Sequence, residues 1–184
     1  MENFAQLDQD IWILERTHNK KGGFFVEAGA MDGIHFSNTF LLEKEFQWDG
    51  ICCEPNPYYF KQLIENRNCK TSSLVIYDKD DEEVEFFLAG SLGGTEEDFA
   101  VERARYENRK NAEKIVRKTI ALNTLLEKYQ APRTIDYISL DTEGSEYRIL
   151  SSFDFDNWDV RFFSIEHNMA HREDGEEYLG MLIS

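Results

Sequence analysis

The chain has little cysteine, a shortage of positive charge and no long apolar run. Its three cysteines, Cys52, Cys53 and Cys69, form an odd set without C-x-x-C spacing. That argues against a zinc site or a disulfide framework and suits a reducing, cytoplasmic setting. No apolar stretch approaches the length of a membrane span, and the N-terminus lacks the basic-then-apolar pattern of a secretory signal. Lys and Arg number 20 against 36 Asp and Glu, a net charge of −16. Such a balance disfavours nucleic acid or an anionic membrane as the main partner, because both reward a basic face. Internal repeats and low-complexity linkers are lacking too, so 184 residues read as one domain. Hydrophobic residues at 41% suffice for a sizeable core.

Apolar periodicity gives the organisation. Phe4, Leu7, Ile11 and Leu14 recur at helical spacing, so the spacing predicts an amphipathic helix within residues 1–22. Phe24 to Val26 form a short strand that runs into Glu27 and a glycine-punctuated turn through Gly33. A helix from about Asn38 to Phe46 follows, then a strand Ile51 to Cys53. Pro55 and Pro57 stop that strand and start the next helix, which runs to Asn66. Ser73 to Tyr77 and Val84 to Leu88 read as strands. Residues 90–118 are heavily charged and read as an exposed loop and helix over the site. Thr119 to Leu122 is a short strand and Thr124 begins a helix closed by Pro132. Ile135 to Leu140 is a buried strand ending at Asp141, and Val160 to Ile165 is another, ending at Glu166. Alternating strands and helices imply βαβ units: an α/β fold with a mostly parallel sheet and helices on both faces.

In such sheets ligands sit beyond the carboxyl ends of the strands. Four strand ends here carry acids: Glu27, Glu54, Asp141 and Glu166. Glu54 stands where a carboxylate commonly accepts hydrogen bonds from a ribose diol. The first turn lacks a full G-x-G-x-x-G, since glycines stand only at Gly29 and Gly33. A pyrophosphate needs closer backbone approach than Ala30, Met31 and Asp32 allow. Asp32 would repel a phosphate and could accept from an ammonium group. The set points away from a nicotinamide dinucleotide and toward S-adenosylmethionine.

At this point the chain resembles the FkbM-type methyltransferases. The matching residues are Val26-Glu27-Ala28-Gly29-Ala30-Met31-Asp32-Gly33, Ser37-Asn38-Thr39, Asp49-Gly50 leading to Glu54-Pro55-Asn56-Pro57, Asn66-Arg67, and Asp136 through Glu146. The Asp141-x-Glu143-Gly144-x-Glu146 element is the most specific part. The resemblance implies a Rossmann-like class I methyltransferase fold, S-adenosylmethionine as methyl donor, and a hydroxyl on a sugar or natural product as acceptor. It places Glu27, Gly29, Ala30, Asp32 and Gly33 in the first cofactor motif, with Ser37 and Asn38 near the methionine end. Glu54 would hold the ribose with Asn56 beside it, Asp78 would lie near the adenine edge, and Asp141 would face the sulfonium with Glu143 and Glu146 close by.

Methyl transfer to oxygen needs alignment and removal of the acceptor's proton. His167 is the candidate base, with Asp141 and Glu143 as rivals. His167 and His171 stand four apart near Glu166, Glu173 and Asp174, but without an H-E-x-x-H context no metal is assigned. Class I methyltransferases close their sheet with an antiparallel hairpin, whereas this chain stops in the helix after the fifth strand. The expectation is a truncated C-terminus, with Val160 to Ile165 left as an edge that a partner strand could pair. Two alternatives remain open at this stage: a cofactor-binding protein without turnover, and an NAD-dependent oxidoreductase.

Overall fold

The computed structural model describes residues 4–90, 93–95 and 111–166. The chain runs through helix α1 (Gln9–Arg16), strand β1 (Phe24–Ala28), α2 (Phe40–Phe46), β2 (Asp49–Cys53), α3 (Pro57–Asn66), β3 (Lys70–Ser72), β4 (Val75–Tyr77), β5 (Glu83–Leu88) and β6 (Gly94–Thr95). It continues with β7 (Glu113–Ala121), α4 (Leu122–Lys128), β8 (Thr134–Ile135), β9 (Tyr137–Leu140), α5 (Glu146–Ser151), β10 (Asp159–Val160) and β11 (Phe163–Ile165).

Five strands form a parallel sheet in the order β11-β9-β1-β2-β3. Strand side chains alternate between its two faces. Phe24, Val26, Ala28, Ile51, Ile138 and Leu140 pack with Leu122, Leu125 and Leu126 of α4 and Ile149 of α5. Phe25, Cys52 and Tyr137 point the other way, onto Ile13, Leu41, Leu42 and Leu63 of α1, α2 and α3. Helices therefore cover both faces, and the near-continuous apolar reading of β1 and β9 follows from burial on both sides. Strand order reverses between β1 and β9, which opens a crevice at their carboxyl ends.

Several local expectations are corrected. α1 begins at Gln9, so Phe4 and Leu7 precede it. The buried Asp10 carboxylate accepts from the Phe4 N–H at 2.8 Å and curls that segment back, leaving Leu7 outside the helix face. The expected strand Ser73 to Tyr77 shortens to β4, which pairs with β7 in a second sheet, β4-β7-β5-β6, and an unexpected strand before it, β3, joins the main sheet. The largest difference is β7. Residues 113–118 are not loop or helix but the start of a strand pairing antiparallel with all of β5. Their charges hide a period of two: Ile115, Arg117 and Thr119 turn inward, while Lys114 turns outward to Glu85 at 2.9 Å. Residues 91–92 and 96–110 of that segment lie outside the described residues.

The run Ile135 to Leu140 divides at Asp136, whose carboxylate accepts from the Phe24 N–H at 3.0 Å and pairs with Lys20 at 2.7 Å and Arg161 at 3.2 Å. Val160 to Ile165 likewise divides into β10 and β11. Among the described residues, β11 pairs only with β9 and stands at the sheet edge. The expected missing hairpin concerns chain beyond Glu166, outside the described residues.

Candidate functional site

A cavity of about 300 Å³ opens at the carboxyl ends of β1, β2, β9 and β11. That size lies at the lower end of the roughly 300–1,000 Å³ typical of small-molecule sites. Gly29, Glu54, Asp141 and Glu143 line it, and so do Met31 and Glu166. At Gly29 the backbone has φ +84°, and a Cβ there would collide with the Asp141 carbonyl. Strand ends β1 and β9 meet through that missing side chain.

Glu54 sits at the end of β2, 5% exposed. Its Oε2 accepts from the Met31 N–H at 2.9 Å and its Oε1 from the Asn56 N–H at 2.8 Å. Burial pushes its pKa up to about 7, against the pull of those two amides. A carboxylate has about four lone-pair sites, so each oxygen retains acceptor capacity toward the cavity. Asn56 is the cap of α3, its Oδ1 accepting from the Tyr58 N–H at 3.0 Å. It serves Glu54 through its own backbone amide.

Asp141, Glu143 and Glu166 bring one carboxylate oxygen each within 4.8 Å of one another. Register places Ile165 beside Leu140, so the residues that follow the two strands emerge together. Burial lifts the Asp141 pKa to about 6; a hydrogen bond with Glu166 opposes this, and the charges of Glu143, Glu146 and Glu27 add to it. Glu143 has φ +62°, a conformation costly for a non-glycine residue that recurs at functional sites. Glu146 holds this turn from below, its Oε1 accepting from the Thr142 N–H at 2.9 Å and the Gly144 N–H at 3.3 Å. What suits the point where the three acids converge is positive charge: a sulfonium, an ammonium or a divalent metal ion.

The other expected site residues are placed around the cavity rather than on its wall. Glu27 is buried and accepts from Ser37 Oγ at 2.9 Å, Thr39 Oγ1 at 2.7 Å and the Asn38 N–H. Arg67 backs it at 3.5 Å and also reaches Glu43 at 2.7 Å, the Gly33 carbonyl at 3.1 Å and Thr39 Oγ1 at 2.9 Å. At Gly33, φ +83°, a Cβ would meet Arg67 and Leu63 at 2.7 Å. Ala30 packs into the core beside Leu63. The Asp32 carboxylate accepts from the Ile34 and His35 N–H groups at 2.9 and 2.8 Å and meets His35 Nδ1 at 2.6 Å. Burial raises its pKa, but those bonds outweigh it and hold Asp32 below the ordinary carboxylate value. Asn38 Nδ2 donates to Ser139 Oγ at 2.8 Å, while its buried Oδ1 has no partner among the described residues. Asp78 lies just past β4, whose Ile76 lines the cavity. His167 and His171 lie outside the described residues.

Sequence reasoning took Arg67 only as part of the Asn66-Arg67 match and missed it as the hub behind the first turn; the further signal was a cation at the end of α3 in a chain rich in acids. Glu166 was visible as a strand-end acid, but only the β9–β11 register shows that it joins Asp141.

Comparison with known proteins adds one finding. No curated protein and no solved structure matches the chain. Residues 27–184 match the family described as the methyltransferase FkbM domain. No helix among the described residues is long and apolar enough to cross a membrane. A match over that span, carrying the turn after β1, the acid after β2 and the acids after β9, makes the chain a member of the FkbM methyltransferase family.

Proposed function

We propose that this chain is an S-adenosylmethionine-dependent O-methyltransferase with a Rossmann-like class I fold, acting on a hydroxyl of a sugar or small molecule. One observation carries the reading: acids from the ends of β2, β9 and β11 converge on a single cavity. The donor set fits the group, since carboxylates complement a ligand bearing both a sulfonium and an ammonium. Gly29 lines the same cavity, and its missing side chain leaves room for the Asp141 carbonyl, which brings the end of β9 to that wall. S-adenosylmethionine, when bound, supplies an electrophilic methyl group.

The chain's own residues do the rest. Glu54 accepts from the ribose hydroxyls with the lone pairs its two amide bonds leave over. Asn38 stands behind the methionine end, its side-chain amide tied to Ser139 Oγ. Glu27, Ser37, Gly33 and Arg67 fix the turn that presents Gly29 and Met31, and Asp32 rigidifies its far side. Asp141 takes the acceptor's hydroxyl proton, with Glu143 beside it; a carboxyl raised to about 6 is a better base than an ordinary one and still ionised at neutral pH. His167 is the rival for that proton. Cysteines that stand free agree with a cytoplasmic enzyme.

Calorimetric titration tests the proposal. Binding of S-adenosylmethionine with none of NAD is the expected result. No binding of either would overturn it, and NAD binding alone would favour an oxidoreductase. Transfer of labelled methyl to hydroxyl compounds then separates an enzyme from a cofactor-binding protein without turnover.

A further inference from the structure

The rim of the cavity differs chemically from its floor. Leu7, 78% exposed, and Phe36, 55% exposed, both line the opening. They come from the segment before α1 and the loop before α2, and a lone parallel bridge between Ala5 and Phe36 ties the two together. Phe36 is held at φ +60°, where a bulky residue is rarely found. A left-handed backbone at an exposed aromatic costs stability and serves no core, since Phe36 is absent from all three apolar clusters. Strained positions of this kind concentrate at ligand clamps.

The donor does not need this lip. A second apolar wall of Val75, Ile76 and Phe86 lines the same cavity on the side of β4 and β5, and offers a flat base its contact. Leu7 and Phe36 are left for the other substrate. The acids set its charge: Glu54, Asp141, Glu143 and Glu166 all face the cavity and repel an anion.

Resting on the proposed methyl transfer, we infer that the acceptor is an uncharged hydroxyl compound with an apolar face, and that Leu7 and Phe36 select it by covering that face. A phosphorylated or carboxylated acceptor is rejected by the acid floor. The apolar face gains by leaving water against the lip, while the hydroxyl points inward to the carboxylates.

Three probes test this on the whole chain loaded with S-adenosylhomocysteine: methyl glucoside, hexyl glucoside, and the phosphate monoester of glucose. Saturation-transfer NMR reads their binding, and calorimetry reads the loading. Hexyl glucoside should bind on the order of tenfold more tightly than methyl glucoside, with the phosphate ester unbound. The double variant Leu7→Asn, Phe36→Asn should lose the preference and keep its affinity for S-adenosylhomocysteine. Asparagine tolerates the left-handed backbone, so the loop is preserved. Equal binding of the two glucosides, no binding of the hexyl compound, or tight binding of the phosphate ester overturns the inference while leaving the donor site intact. Loss of S-adenosylhomocysteine binding in the double variant also overturns it, by assigning the lip to the donor. Failure of the parent chain to load at all removes the methyltransferase reading itself, a result distinct from the others.

Discussion

Glu27 and Glu54 end neighbouring parallel strands in the same way, each a buried acid at the carboxyl edge of the sheet, yet their surroundings differ. Glu27 is consumed by its own protein: two hydroxyls, an amide and a guanidinium close around it. Among the described residues Glu54 meets only two amides; it faces the cavity and has its pKa lifted to about 7 by burial. Asp141 resembles Glu54, with its pKa raised and other acids crowding it. An acid at a strand end is therefore not one kind of residue. Where cations and donors of the chain surround it, it builds the site; where they are withheld, it is available to a ligand.

The strongest way to break that contrast is to remove the counter-ion from the first group. Arg67→Met leaves the buried Glu27 and the half-buried Glu43 beside no guanidinium, and breaking a buried pair in this way costs about 3–5 kcal/mol. Urea unfolding should show that loss, whereas Glu54→Gln should cost less, about 1–3 kcal/mol, because the one amide oxygen it keeps can serve the N–H of Met31 or of Asn56 but not both. Equal losses would mean that both acids are structural.

Next in size is the effect on rate. Asp141→Asn should lower the turnover of methyl transfer by about 10²–10⁴-fold, the range for loss of a general base. It should also raise the unfolding free energy slightly, because one of several mutually repelling carboxylates becomes neutral. A variant that keeps full activity would pass the base role to His167, for which His167→Ala is the corresponding measurement.

Glu54 gives a smaller effect with a pH signature. Burial moves its pKa from 4.5 to about 7, so between those values the folded chain holds a proton that the unfolded chain has released. Its contribution to stability therefore falls as the pH rises across that window and levels off above it. Binding should run in the opposite direction: the ionised carboxylate is the better acceptor for ribose hydroxyls, so affinity for S-adenosylmethionine should rise through about pH 7. Glu54→Ala should weaken that affinity by about 10–100-fold and remove both pH dependences. Unchanged affinity would refute the ribose role.

Much of this arrangement is legible in the sequence. Doubly buried strands such as Phe24–Ala28 and Tyr137–Leu140 announce themselves as apolar runs, and the acids that end them are read off directly. β7 was not legible, because Glu113, Lys114, Arg117 and Lys118 outweigh the inward Ile115 in any window. Its inward face is covered through long-range pairing and packing with β4 and β5, which local sequence cannot report. The division of labour among the acids was hidden for the same reason. Whether a carboxylate belongs to the scaffold or to the cavity depends on partners far away in sequence, Arg67 for Glu27 and Glu166 for Asp141.

Asp32 is the mildest test and the most discriminating. Its place in the turn and its negative charge suggest an acceptor for the donor's ammonium, but its oxygens already serve Ile34 and His35. Asp32→Asn keeps one carbonyl acceptor for those amides and removes the charge. If the residue belongs to the scaffold, as Glu27 does, affinity for S-adenosylmethionine should change by less than about threefold, under 1 kcal/mol. A loss as large as that of Glu54→Ala would move Asp32 into the second group. The turn after β1 would then be a ligand wall along its whole length, and the line between building acids and binding acids would have to be drawn beyond it, at Glu27 alone.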